Sequence, residues 1–311
     1  MLKRHNTMAT ETRDFLQRVL FEEISARCVR VRLEQVLSDV FAWSQYPEPV
    51  ARLLSEALLT VATLSSGIKF SGRISLQLQS AGPLSLLMAD CTDSGGLRGV
   101  ARLAEGAELS GDEQDLWRSL ADKGVLTLTL DPPDGGERWQ GIVPLEGDSM
   151  AEAVEAYFRR SEQLPTRIRL AVDNGVASAL MIQKMPGETE DDDGWNRLEH
   201  LLATVSSEEL LETTGDTLMT RLFHAESRRQ FPARPLQFYC PCSRERVLEV
   251  LQGLGAAELE DMISQGEAVE VRCEFCNEAY DFDLLDLADL AGSDRDGGEP
   301  GEQSPENRTI H

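Results

Sequence analysis

The sequence predicts an α+β fold: a mainly antiparallel sheet packed with helices, then a helical linker, then a small C-terminal zinc domain built on four cysteines. Three observations predict it. Runs of period-two alternation bounded by turn residues recur between Cys28 and Gln183, interleaved with apolar stripes at helical spacing. At Met185 the composition shifts to an acidic, glycine-bearing stretch that leads into purely helical patterns. Finally, Cys240-Pro241-Cys242 and Cys273-Glu274-Phe275-Cys276 are two close cysteine pairs with thirty residues between them, a spacing that suits a tetrahedral zinc shell.

The elements follow in order. Residues 1–11 read as a flexible tail, and Phe15, Leu16, Val19 and Leu20 stand at helical spacing. Cys28 to Leu33 alternates, so Val29, Val31 and Leu33 share one face of a strand. Val36, Leu37, Val40 and Phe41 return to helical spacing. After the break at Tyr46-Pro47-Glu48-Pro49, Leu53, Leu54, Ala57, Leu58 and Val61 make a long apolar stripe that belongs in a core. From Ile68 onward strands prevail: Ile74, Leu76 and Leu78 alternate, Leu84 to Met88 is a buried run, and Gly99 to Leu103 follows a glycine turn. Val125 to Leu130 and Arg138 to Pro144 flank Asp131-Pro132-Pro133-Asp134-Gly135-Gly136, and Arg167 to Val172 and Ala177 to Gln183 flank Asp173-Asn174-Gly175, which are hairpin signals. Between them Ser149-Met150-Ala151-Glu152 is a capping box that opens a helix through Val154 and Phe158, stopped at Pro165.

These readings divide the chain into a core domain over residues 1–184, a helical linker over 185–232, a zinc-binding domain over 233–290 and a disordered acidic tail over 291–311. The acidic breaker from Pro186 to Gly194 is expected in solvent. Trp195, Leu198, Leu201, Leu202 and Val205, then Leu210, Leu211, Leu218, Leu222 and Phe223, make two helical patterns separated near Thr213 to Gly215. Their apolar faces need a cover, either as a permanent helical hairpin or as a linker whose docking depends on the cysteine region after it. In the cysteine region, Leu236 to Tyr239 is a short strand, Val247 to Leu254 and Leu259 to Ile263 are short helices, and Val269, Val271, Tyr280 and Phe282 lie on strands. So few core groups make a marginal domain, whose folding metal binding would decide.

Charge and composition narrow the function. The 311 residues allow about two domains. With 30 Lys+Arg against 54 Asp+Glu the net charge is −24, which repels nucleic acid phosphates and anionic membranes. Neither is an expected partner. No apolar run approaches the ~18 residues of a membrane span, and Met1 to Glu11 lacks a signal-peptide core. The expectation is a cytoplasmic protein, where clustered cysteines serve as metal ligands or redox centres. Cys28 and Cys91 stand apart and read as small buried apolar residues. His5, His200, His224 and His311 are scattered, and four thiols complete a zinc shell without them. Residues 12–184 contain no phosphate loop, nucleophile elbow or paired His and Cys, so no catalytic residue is assigned.

The metal candidates are therefore Cys240, Cys242, Cys273 and Cys276, holding one zinc per chain. Such a site can be an inert staple. It can also be reactive: sulfurs ~2.3 Å from one zinc lie roughly 3.8 Å apart, close enough for disulfide formation once an oxidant strips the metal. A thiol-dependent peroxidase or disulfide oxidoreductase, which turns over oxidant, and a zinc-ribbon interaction module are the competing readings.

Cys240-Pro241-Cys242-Ser243-Arg244-Glu245-Arg246 and Cys273-Glu274-Phe275-Cys276-Asn277 with Tyr280 and Phe282 resemble the redox-regulated 33 kDa heat-shock chaperone family. The resemblance continues in Gly99-Val100-Ala101-Arg102, in Gly136-Glu137-Arg138-Trp139-Gln140-Gly141 before Leu145-Glu146-Gly147-Asp148, and in Tyr157 to Thr166, and it covers residues 12–287. It implies a non-enzymatic holdase that is zinc-bound and inactive when reduced. Peroxide or hypochlorous acid, with heat, would join Cys240 to Cys242 and Cys273 to Cys276. The module and linker would unfold, the protein would dimerise, and exposed apolar surface would hold unfolding proteins for ATP-dependent chaperones. Pro241 departs from the family pattern, which puts the rate of the first disulfide in question.

Overall fold

The computed structural model describes residues 13–67, 71–107, 109, 111–121, 124–133, 136–188, 190–213, 217–265 and 268–296. The expected tail at residues 1–11, Ile68, His5, His311, part of the turn at Asp131–Gly136 and residues 297–311 lie outside them wholly or in part.

The chain runs β1 (Phe15–Phe21), β2 (Ala26–Leu33), α1 (Gln35–Phe41), α2 (Glu48–Ser65), β3 (Arg73–Gln79), β4 (Leu84–Thr92), β5 (Gly96–Leu103) and α3 (Glu113–Ala121). It continues through β6 (Val125–Asp131), β7 (Trp139–Pro144), α4 (Met150–Tyr157) with a π-turn (Phe158–Glu162), β8 (Thr166–Asp173) and β9 (Val176–Lys184). Then come α5 (Gly194–Ala203), α6 (Ser207–Glu212), α7 (Thr217–Leu222), and the two-residue strands β10 (Arg229–Gln230), β11 (Arg234–Pro235) and β12 (Gln237–Phe238). Last are α8 (Arg244–Gln252), α9 (Ala256–Gln265), β13 (Val269–Arg272), β14 (Ala279–Phe282) and α10 (Leu284–Asp296). The chain forms two compact units, residues 1–240 and 241–311. The division falls at the first cysteine pair and not at 232/233, because β11 and β12 pair with strands of the first unit.

Two sheets make the first unit. One has the order β10-β1-β2-β9-β8, with β11 also on β1, and every pairing is antiparallel. The other has the order β12-β5-β4-β3-β6-β7, antiparallel except for β12 beside β5. Helix α2 packs against strands of both sheets, and 13 of its 18 residues are buried. Its buried hydroxyls are satisfied internally: Ser55 donates to the Ala51 carbonyl at 2.8 Å, Thr60 to Glu56 and Thr63 to Leu59 at 2.7 Å. Asp14, at the mouth of β1, caps α1 from outside by accepting from the amides of Glu34, Gln35 and Val36 at 2.8, 3.1 and 3.0 Å. The β8–β9 turn carries Asn174 at φ 48° and Gly175 at φ 75°, the left-handed pair that a two-residue hairpin demands.

Several expectations change. The Phe15–Leu20 stretch is a strand, not a helix: Leu16 enters the core between the sheets while Val19 and Phe21 enter a second cluster on the opposite side. A strand buried on both faces imitates helical spacing. Helix α3 is an element that the sequence patterns do not announce. The linker region holds three short helices with an extra break near Thr204–Ser206, and α10 continues to Asp296, inside the stretch expected to be disordered. The acidic breaker is also partly tied down. Amides of Glu190 and Asp191 donate to the Glu23 carbonyl at 2.9 and 3.1 Å, and Arg197 joins Asp191 at 2.5 Å to Glu226 at 3.0 Å.

The second cluster accounts for the apolar faces of the linker helices. Val19, Phe21, Ala26, Cys28, Ala171, Leu180 and Ile182 on the first sheet meet Leu198, Leu202, Leu210, Leu218, Met219 and Phe223. Phe21 and Phe223 stack edge to face at 5.0 Å. Among the described residues no helix is long and apolar enough to cross a membrane.

Candidate metal centre

The path to the first cysteine is set by β12. Gln237 and Tyr239 donate backbone bonds to Gly95 and Leu97 at 3.1 and 2.9 Å. Gly96 permits this approach, since a Cβ there would lie 2.8 Å from that of Tyr239. Cys240 is thereby brought beside Arg98 of β5, whose Nη1 donates to its Sγ at 3.8 Å. Arg98 is itself held by Asp90, which is 2% exposed and accepts from Nε and Nη2 at 2.8 Å. A cation aimed at a ligand sulfur favours its thiolate form.

In the second unit, Ser243 follows Cys242 immediately and caps α8, its hydroxyl accepting from the Arg246 amide at 3.3 Å. Cys273 leaves β13 into a tight turn in which the Asn277 amide donates to Cys273 at 2.7 Å and Asn277 takes φ 59°. The turn returns into β14, whose Tyr280 hydroxyl donates to Cys242 Sγ at 3.2 Å. That bond, with burial and the nearby thiols, holds the Tyr280 hydroxyl above its ordinary pKa. Behind it, Leu251, Leu259, Phe282 and Leu287 are the buried core, and the Arg244 guanidinium lies 4.5 Å from the Phe282 ring centre.

All four sequence-assigned ligands converge: the sulfurs of Cys240, Cys242, Cys273 and Cys276 lie within 4.8 Å of one another, and Cys242 and Cys276 are 3.3 Å apart. Four soft sulfurs near the roughly 3.8 Å separations of a tetrahedral thiolate shell, with an outer hydroxyl donor on one of them, fit zinc. All four residues are partly exposed. Cys28 and Cys91 differ in kind. Both are fully buried, and burial pushes the Cys91 thiol up to about 11 and the Cys28 thiol further. His200 and His224 are exposed and lie outside the group. Arg98, Asp90 and the role of Tyr280 have no signal in the sequence. Arg98 sits in a strand 142 residues before Cys240, and no local pattern links the two.

Comparison with known proteins matches most of the chain. A family model described as "Hsp33 protein" matches residues 14–283. A 33 kDa chaperonin of Ectopseudomonas mendocina is 43% identical over 290 residues, covering 90% of this chain and 97% of that relative. The 33 kDa chaperonin of Azotobacter vinelandii is 42% identical over 284 residues, with 89% and 94% covered. The crystal structure of a 33 kDa chaperonin from Thermotoga maritima superposes with a TM-score of 0.77 at 23% identity, covering 91% of this chain and 99% of that one, a likeness of fold.

Proposed function

The chain belongs to the Hsp33 family of stress-response chaperones, and from that premise we propose that it is a redox-regulated holdase of the cytoplasm. Reduced, the four thiolates hold zinc, which supplies the stability that the small C-terminal core lacks. Oxidation joins Cys240 to Cys242 and Cys273 to Cys276. Each disulfide takes two electrons from two thiols, and peroxide is reduced to two waters. With its ligand set consumed, the C-terminal unit loses its clamp and unfolds. Helices α5–α7 then leave the first sheet, and the protein dimerises. The uncovered apolar surface binds unfolding proteins until ATP-dependent chaperones take them over. This is binding, not turnover: each chain uses peroxide once per disulfide and then stops.

The observation that carries the reading is the pairing of two features in one chain. Four partly exposed thiols cluster, three of them on a module with four buried core side chains. A layer of three short helices covers a largely apolar sheet face.

The test follows zinc release with a metal-sensitive dye under peroxide and mild heat, and scores light scattering of a thermally unfolding client in the same samples. Release of about one zinc per chain, with aggregation suppressed only afterwards, is the expected result. Zinc release with unchecked aggregation would make the site a structural staple and sink the proposal.

A further inference from the structure

The sheet face beneath α5–α7 is not wholly apolar. Alternation along β2 sends Val29, Val31 and Leu33 into the core between the sheets and turns Cys28, Arg30 and Arg32 toward the linker helices. Arg30 is fully buried. Its Nη2 donates to the carbonyl of Thr213, and Nη1 of Arg32 donates to the carbonyl of Leu211. Thr213 is the C-cap of α6 and Leu211 lies in its last turn. These carbonyls are among those a helix leaves without donors, at the negative end of its dipole.

The two forks are also held from outside α6. Arg30 lies 5.6 Å from the ring centre of Phe15, and Arg32 pairs with Glu34 at 3.5 Å. Helix α6 spans only six residues, too few to persist alone. Ser206 caps its start by accepting from the Glu209 amide at 3.0 Å, and the sheet caps its end.

We propose that Arg30 and Arg32 form a binding site for the C-terminal end of an apolar-faced helix, filled by α6 here and open to a helix end or terminal carboxylate of an unfolding client once the linker leaves. The second half rests on the proposed function. Charge-assisted bonds from fixed guanidinium groups favour carbonyl clusters and carboxylates over cationic ends. The neighbouring row of Val19, Phe21, Leu180 and Ile182 supplies the apolar contact. The pair therefore acts twice. It adds to the cost of undocking the linker, and it gives the vacated face a preference among clients.

Cys28 is the built-in reporter, being fully buried on this same face, whereas Cys91 is buried between the sheets. In the reduced, zinc-loaded full chain, alkylation of Cys28 should speed up about 10-fold or more in an Arg30→Gln, Arg32→Gln double variant, with Cys91 unchanged. Unchanged Cys28 labelling would overturn the docking role. This readout needs neither oxidation nor client, so it stands or falls apart from the holdase reading.

A second measurement uses oxidised wild type and a peptide copying residues 194–213, made with a free C-terminal carboxylate or with an amidated, lysine-extended end. The carboxylate form should bind about 10-fold more tightly. Equal affinities would overturn the receptor role. This arm decides that role even where the double variant exposes Cys91 as well and proves misfolded. Oxidised wild type that binds the peptide yet fails to protect a client would leave the receptor standing and remove the holdase reading.

Discussion

Pro241 stands between the first two cysteines and fixes its own φ at about −65°, while Glu274 and Phe275 leave the second pair a freer span. Zinc asks only that the sulfurs converge, which they do. A disulfide asks for a defined torsion across a short ring. Replacing Pro241 by Ser should therefore leave zinc stoichiometry unchanged and alter the rate at which Cys240 and Cys242 oxidise. Quenched-flow alkylation with peptide mass analysis reads that rate, and equal rates would dispose of the idea. Tyr280→Phe tests the other side of the cluster. It deletes the hydroxyl that donates to Cys242 at 3.2 Å, and loss of such an outer-shell partner should speed metal loss to a chelator by roughly 10-fold. A rate equal to wild type would show that the bond does not tune the sulfur.

At the scale of elements, the hairpins and α2 were legible because each has one dominant signal: alternation, a glycine turn, or a long apolar stripe. The four-sulfur cluster was legible for the same reason, four cysteines in two close pairs. β1 was not, since burial on both faces erases period two. Arg30 was hidden more deeply. Alternation puts it on the face opposite Val29 and Val31, but only packing reveals that helices cover that face. The same packing makes Phe223 the test of linker docking, because its ring is fully buried against Phe21. Phe223→Ala should weaken that docking by about 3–5 kcal/mol. Faster alkylation of Cys28 in the reduced protein, without oxidant, is the expected sign; protection equal to wild type would show that the ring is not what holds the layer.

Helix α3 carries a different consequence, in pH. Glu56 of α2 and Glu113 of α3 face each other in a cleft also lined by Glu48, Asp112 and Asp148, with Arg52 3.2 Å from Glu113. Burial, then the Glu113 carboxylate, pushes the Glu56 carboxyl well above its ordinary range. The folded chain thus holds a proton that the unfolded chain releases at pH ~4.3. Stability on this account is fully present below that value, falls as pH rises toward the folded pKa, and is level beyond it. Glu56→Gln keeps a neutral hydrogen-bonding group, so thermal melts should show the variant gaining on wild type from pH 5 to pH 8. Parallel curves for the two proteins would exclude a shared proton.

For the whole molecule, the decisive contrast is between the two units. The first buries two continuous clusters, one between its sheets and one under the linker helices. The second fully buries only Leu251, Leu259, Phe282 and Leu287 among its described residues. A core of that size offsets chain entropy poorly, whereas a zinc held by the four thiolates would contribute on the order of 10 kcal/mol. Chelation of the reduced protein should therefore collapse amide protection across β13, β14 and α8 while β2, β9 and β3 keep theirs. Hydrogen exchange with mass analysis resolves these segments in one experiment. Protection persisting in the cysteine module after metal removal would mean that its own packing suffices, and oxidation would then need some other route to free the linker. Cooperative loss of protection in both units would mean that the sheets depend on the metal too, leaving no stable scaffold to present a client surface. Only selective loss gives a protein that can unfold its own switch and keep a platform for another chain.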